Sequence, residues 1–214
     1  MANAVIFDMD GVISDTQKIH SKVESELLGR LGVIISPDEI TRRFSGVQTS
    51  KFFKEIIGES GVECDIESLL KEKWEKMIDL ARKDVDAIPH AFELINELSE
   101  NRFKLAVASA SKPDYVDAVL TNLGVKDRFQ AIVSSDEVEN GKPWPDVFLL
   151  AAEKISEAPE NCLVIEDGIS GMIAAKRANM KSVGLVPELD PKTYPADVLV
   201  LSLEELNAEK IKDM

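Results

Sequence analysis

The sequence is short of cysteine, of positive charge and of long apolar runs. Its two cysteines, Cys64 and Cys162, lie far apart and match no metal-binding spacing. This excludes a disulfide scaffold and points to a reduced, cytoplasmic setting. Lys and Arg number 25 against 39 Asp and Glu, for a formal net charge of −14. That balance argues against nucleic acid or an anionic membrane as partner. A negatively charged substrate would need a local positive device, such as a metal ion or a placed lysine. No apolar run approaches the ~20 residues of a membrane span. The opening MANAVIFDMD has neither a basic n-region nor a small-residue cleavage site, so no secretion signal is expected. Repeats and low-complexity linkers are also missing.

What is present is a chain of 214 residues, enough for one large domain or one domain with a smaller insert. Short apolar runs alternate with helical patterns. The runs are Val5–Phe7, Leu105–Ala108, Ala131–Val133, Leu163–Ile165, Val183–Val186 and Val198–Leu201. None alternates in and out, as befits strands covered on both faces. Patterns of period near 3.6 fill Ala91–Ser99, Pro113–Leu123, Pro145–Ile155 and Ser170–Ala178. Asn179 follows the last, where a left-handed residue is usual. This alternation predicts an α/β fold with a Rossmann-like, doubly wound parallel sheet. Residues 15–87 contain no convincing strand. Stripes at Ile19, Val23, Leu27 and Leu31, at Phe52, Phe53, Ile56 and Ile57, and from Leu69 to Leu80 predict an inserted helical cap. The core is then 1–14 plus 88–214.

Strand after strand ends in a polar residue: Asp8 with Asp10 two on, Ser109, and Glu166-Asp167. In an open parallel sheet, ligands bind outside these carboxyl ends. Lys142, in the loop ENGKPWPD, joins the set. Crowded carboxylates repel unless a cation sits between them. The donors are hard oxygens, which suit magnesium shared with a phosphate oxygen. One carboxylate can attack phosphorus to form an aspartyl-phosphate. A second, two residues on, can protonate the leaving oxygen and then activate the next nucleophile. Two acids serve two roles only if their environments differ. Asp8 on the metal stays ionised; Asp10, pointing away, can hold a proton.

Four segments in order, FDMDGV (7–12), VASAS (107–111), KPWPD (142–146) and VIEDGISG (164–171), resemble the motifs of the haloacid dehalogenase (HAD) superfamily. The likeness is to its β-phosphoglucomutase-like and small-sugar phosphatase branch and spans nearly the whole chain. It implies Asp8 as nucleophile and magnesium ligand. It implies Asp10 as general acid/base that lends its backbone carbonyl to the metal. Ser109 would bind the phosphoryl group, Lys142 would offset its charge, and Glu166 and Asp167 would complete the Mg2+ site. Ser111 reads equally as helix cap or substrate contact. Gly168 and Gly171 read as turn and packing positions, and Trp144, between two prolines, as packing.

In the cap, Thr16 and His20 share one helix face near Asp10 and are read as substrate contacts, a spacing also found in β-phosphoglucomutase. Lys71 and Lys73 are each read as solvated, either being a possible cap cation. Gly46-Val47 also resembles the mutase, but its arginine two residues later is replaced by Thr49; Arg42, Arg43 and Lys51 are out of register. His90 stands where the branch usually has glycine. The reading is a magnesium-dependent phosphatase of small phosphorylated metabolites, sugar phosphates foremost, acting as a monomer or small homo-oligomer. A phosphomutase is the alternative. More remote are a receiver-like signalling domain phosphorylated on Asp136 and a non-catalytic binding protein.

Overall fold

The computed structural model describes residues 2–44 and 47–214. Six strands form one parallel sheet: β1 (Ala4–Phe7), β2 (Lys104–Ser109), β3 (Ala131–Ser134), β4 (Cys162–Glu166), β5 (Lys181–Leu185) and β6 (Val198–Val200). Their order is β3-β2-β1-β4-β5-β6. Every pairing is parallel, with Phe7 level with Val107 on one side and with Ile165 on the other. The order reverses between β1 and β4, which opens a crevice at their carboxyl ends.

The helices of the core are α5 (Ala91–Glu100), α6 (Pro113–Asn122), α7 (Asp146–Lys154), α8 (Ile169–Arg177) and α9 (Ala208–Asp213). They cover both faces of the sheet. Val5 and Phe7 pack in one apolar cluster with Leu94 and Val116; Ala4 and Ile6 pack in the other with Phe148 and Ala174. Two dry faces explain why the strands read as unbroken apolar runs. Each run lengthens or shortens by a residue or two at its ends, but all are strands. Asn179 does adopt a left-handed conformation, with φ 58°.

Between β1 and α5 lie four more helices: α1 (Gln17–Arg30), α2 (Pro37–Phe44), α3 (Thr49–Ser60) and α4 (Ile66–Lys83). Val23, Leu27, Phe52, Phe53, Trp74 and Met77 are buried, while Leu80, at the end of its stripe, is 40% exposed. Asp65 caps α4 by accepting from the amides of Glu67 and Ser68. The chain leaves and returns side by side. The Asp15 amide donates to the Asp86 carbonyl at 2.8 Å and the Ile88 amide to the Ile13 carbonyl at 2.9 Å. Just after the return, His90 holds φ 66°, a conformation that glycine adopts without the Cβ penalty. Helix α4 packs against α6, so insertion and core share one apolar cluster. Among the described residues, no helix is long and apolar enough to cross a membrane.

Candidate active site

Asp8 is the first residue past β1, and its amide donates to the Ile165 carbonyl of β4 at 2.9 Å. The loop then turns sharply. Gly11 has φ 93°, and a Cβ there would lie 2.3 Å from Asp167 Oδ2. Only glycine fits that approach. The turn sends the Asp8 and Asp10 carboxyls into different surroundings.

Lys142 sits beneath Asp8 with no exposed surface. Its ammonium donates to Asp8 Oδ1 at 2.5 Å and to Glu166 Oε1 at 2.6 Å. The second Glu166 oxygen accepts from the Gly168 amide at 2.7 Å. A Cβ on residue 171 would fall 1.7 Å from Glu166 Oε1, so Gly171 leaves the space this carboxylate fills. Oxygens of Asp8, Glu166 and Asp167 all lie within 4.8 Å of one another. Asp167 Oδ1 is buried with no hydrogen-bond partner. An orphaned oxygen beside two other acids is what a hard cation would satisfy.

The electrostatics agree. Burial raises the Asp8 carboxyl well above the ordinary aspartate range; Lys142 opposes this, and Glu166 adds to it. Asp167 is likewise pushed up by burial and by Glu166 and Asp8. For Lys142 burial works downward, but Asp8 and Glu166 outweigh it and hold the ammonium charged. Four groups, three acidic, thus share a dry space with a deficit of positive charge.

Asp10 faces the insertion. Its carboxylate accepts from Thr16 Oγ1, from Ser111 Oγ at 2.7 Å and from Tyr115 Oη at 3.4 Å. His20 Nε2 lies 3.3 Å from the same group. Lys73 Nζ is 3.0 Å from His20 Nδ1. An ammonium can only donate, so Nδ1 is the acceptor, and Nε2, buried without a hydrogen bond of its own, faces Asp10. Burial would raise the Asp10 carboxyl, but His20, Thr16 and Ser111 together hold it far below the ordinary range. In this arrangement the groups around Asp10 are all able to donate to it, which favours its ionised form.

The other candidates fall as follows. Ser109 is fully buried, and its hydroxyl accepts from the Ser111 amide at 3.0 Å. Ser111 does not cap α6, where no side chain does so; it serves Asp10. Thr16, His20 and Ser111 all converge on Asp10. Lys73 is not solvated: it has no exposed surface, whereas the Lys71 side chain is 78% exposed. Trp144 is corrected as well, being 49% exposed with the Arg177 guanidinium 5.0 Å from its ring. Asp136 is an exposed residue beyond β3, paired with Lys112 at 3.6 Å. Gly46 lies outside the described residues.

A cleft of about 50 Å³ opens over Asp8 and Asp10, and the insertion lines it with Gln17, His20, Glu24, Phe44 and Thr49 among others. Four residues that matter here escaped the sequence reading. Gln17 donates to the Asp10 carbonyl at 3.2 Å. Glu24 pairs with Lys73 at 3.3 Å. Tyr115 touches Asp10, and Gln48 donates across to the Ser135 carbonyl of the core at 3.1 Å. Glu24 was findable: it continues the four-residue spacing of Thr16 and His20 by one more turn. Tyr115 and Gln48 carry no such signal.

Comparison with known proteins agrees with this geometry. The family profile described as haloacid dehalogenase-like hydrolase matches residues 5–185. Hexitol phosphatase B of Escherichia coli (strain K12) is 31% identical over 216 residues, covering 97% of this chain and 96% of that protein. The fructose-1-phosphate phosphatase of the same organism is 33% identical over 181 residues, covering 84% and 94%. The crystal structure of β-phosphoglucomutase from Clostridium difficile is 28% identical and aligns with a TM-score of 0.87, covering 100% of this chain and 96% of that one. With its acids and lysine gathered at the switch point of the sheet, this chain is an enzyme and belongs to the haloacid dehalogenase-like hydrolases.

Proposed function

We propose that the protein is a magnesium-dependent phosphatase of small phosphorylated metabolites, sugar phosphates foremost, working in the cytoplasm through an aspartyl-phosphate on Asp8. The observation that carries this reading is the Asp8–Lys142–Glu166 contact beside an orphaned Asp167 oxygen. Asp8 and Asp167 would hold the metal, with the Asp10 carbonyl as a further donor. Glu166, already engaged on both oxygens, would complete the acidic set and fix Lys142. Magnesium bound there offsets the charge of the phosphoryl oxygens and of Asp8.

Asp8 Oδ attacks phosphorus, and the bond from phosphorus to the leaving oxygen breaks. Asp10 delivers a proton to that oxygen. Water then attacks the acyl phosphate, Asp10 takes its proton, and Asp8 and inorganic phosphate are released. The base half of this cycle is poised in the closed arrangement. The acid half needs Asp10 to exchange a donor for a proton, which ties it to movement of the segment bearing Thr16 and His20. The cleft implies the same movement: about 50 Å³ is far below the ~300 Å³ or more of a ligand pocket. We therefore assign residues 15–87 the role of a cap that opens to admit substrate and closes over a core of 1–14 and 88–214.

A phosphomutase is the second reading, supported by Thr16 and His20 set against Asp10 and by the fold match to β-phosphoglucomutase. Against it stands the lack of a substitute for the arginine. Arg43 is bound to Glu39, Glu55 and Glu59. Arg42 and Lys51 are exposed and do not line the cleft. Phosphorus NMR on a sugar-phosphate panel with magnesium separates the readings. Phosphate release that vanishes in Asp8→Asn supports the phosphatase. Conversion of β-glucose 1-phosphate to the 6-phosphate with little release supports the mutase.

A further inference from the structure

Among the cleft-lining residues there are three carboxylates, Asp8, Asp10 and Glu24, and no lysine or arginine. Two of these acids belong to the reaction. Glu24 does not; it projects from α1, is 7% exposed, and pairs with Lys73 at 3.3 Å. Lys73 has three N–H donors, and each has a partner inside the protein. They reach His20 Nδ1 at 3.0 Å, Thr49 Oγ1 at 2.9 Å and Glu24 Oε1. The ammonium also sits 3.6 Å from the centre of the Trp74 ring. Burial pushes it below the ordinary lysine value, and Glu24 is the main group that opposes this.

Lys73, in contact with the cleft-lining His20, Thr49 and Glu24, thus has no donor left. A site for a phosphoryl group normally presents Arg or Lys donors. Here the cap side presents a carboxylate whose only polar partner among the described residues is that spent lysine. A carboxylate accepts but never donates, and has lone pairs for several O–H groups. Its lone pairs welcome hydroxyls, and the Glu24–Lys73 pair offers no donor to a second phosphate.

We infer that Glu24 is a specificity-determining residue that fits the cleft to an uncharged, polyhydroxylated leaving group and against one that carries a second phosphoryl group. The inference rests on the phosphatase reading and adds the substrate class. Its ground is the closed ring of Lys73 partners at the edge of a cleft without free cations.

The test compares matched esters, glucose 6-phosphate with glucose 1,6-bisphosphate and fructose 1-phosphate with fructose 1,6-bisphosphate, by phosphate release with magnesium. The native enzyme should favour the monophosphates in kcat/KM by about tenfold or more, because the Glu24–Lys73 pair accepts from hydroxyls and has no donor for a second phosphate. Glu24→Gln keeps the shape, removes the charge and should move the ratio towards the bisphosphates by about tenfold. A native enzyme that prefers the bisphosphates, or a folded Glu24→Gln enzyme with its ratio within about twofold of native, overturns the inference. If circular dichroism shows Glu24→Gln unfolded, the native ratio alone decides. p-Nitrophenyl phosphate, whose leaving group has neither hydroxyls nor a second phosphate, separates the two levels. Asp8-dependent release from it without discrimination among the sugar esters sinks the role of Glu24 alone. No Asp8-dependent release from any ester sinks the phosphatase reading itself.

Discussion

Lys142 is the residue on which the ionic centre balances. It touches Asp8 and Glu166 and has no surface in water. Removing it leaves two carboxylates facing each other in a dry site. Lys142→Met is expected to cost about 3–5 kcal/mol in metal-free protein, read by urea unfolding, because a buried charge has lost its partner. Gly11→Ala tests the turn. It puts a Cβ 2.3 Å from Asp167 Oδ2 and strains φ 93°. Activity should fall by about 100-fold or more as Asp167 is pushed from the acidic set; near-native activity would mean that Asp167 is not needed there. At this scale much was legible. Asp8, Lys142 and Asp167 stand at strand ends or in a motif loop, and the sheet rule gathers such residues whatever their separation. Tyr115 was not legible, because its contact with Asp10 spans 105 positions and is made by the fold alone. The charge state of Asp10 was not legible either. It depends on four partners, of which Tyr115 is one.

At the scale of elements, the strands were legible because both faces of the sheet are dry. Helix α2 was not, since PDEITRRF has only Ile40 and Phe44 buried and so carries no full stripe. The insertion meets the core through α4 on α6 and through Gln48 at the start of α3. Gln48 reaches the Ser135 carbonyl, in the segment that leads to Lys142. Gln48→Ala removes this link between insertion and core. The loss of about 1 kcal/mol should lower kcat/KM by about fivefold and speed hydrogen exchange in α3. Unchanged exchange would show that this contact does not hold the closed position.

For the whole molecule, the acidic centre is expected to make stability depend on a cation. Burial alone already raises Asp8 and Asp167, so the metal-free fold carries acids it cannot fully pair. A ligand that binds only the folded state stabilises by mass action. Magnesium at about 100 times its Kd should raise Tm by about 5–10 °C for a chain of this size. Asp167→Asn should remove most of that rise. A Tm indifferent to magnesium in the native protein would remove the metal from the account.

The proposed phosphatase cycle turns on a phosphoryl group carried on Asp8. The direct measurement is acid quench during turnover of a sugar phosphate with magnesium, followed by mass mapping of the phosphorylated peptide. The phosphoryl mass is expected on the peptide that contains Asp8, with neither that mass nor turnover in Asp8→Asn. A phosphoryl group found instead on Asp136, or turnover that survives Asp8→Asn, would contradict it.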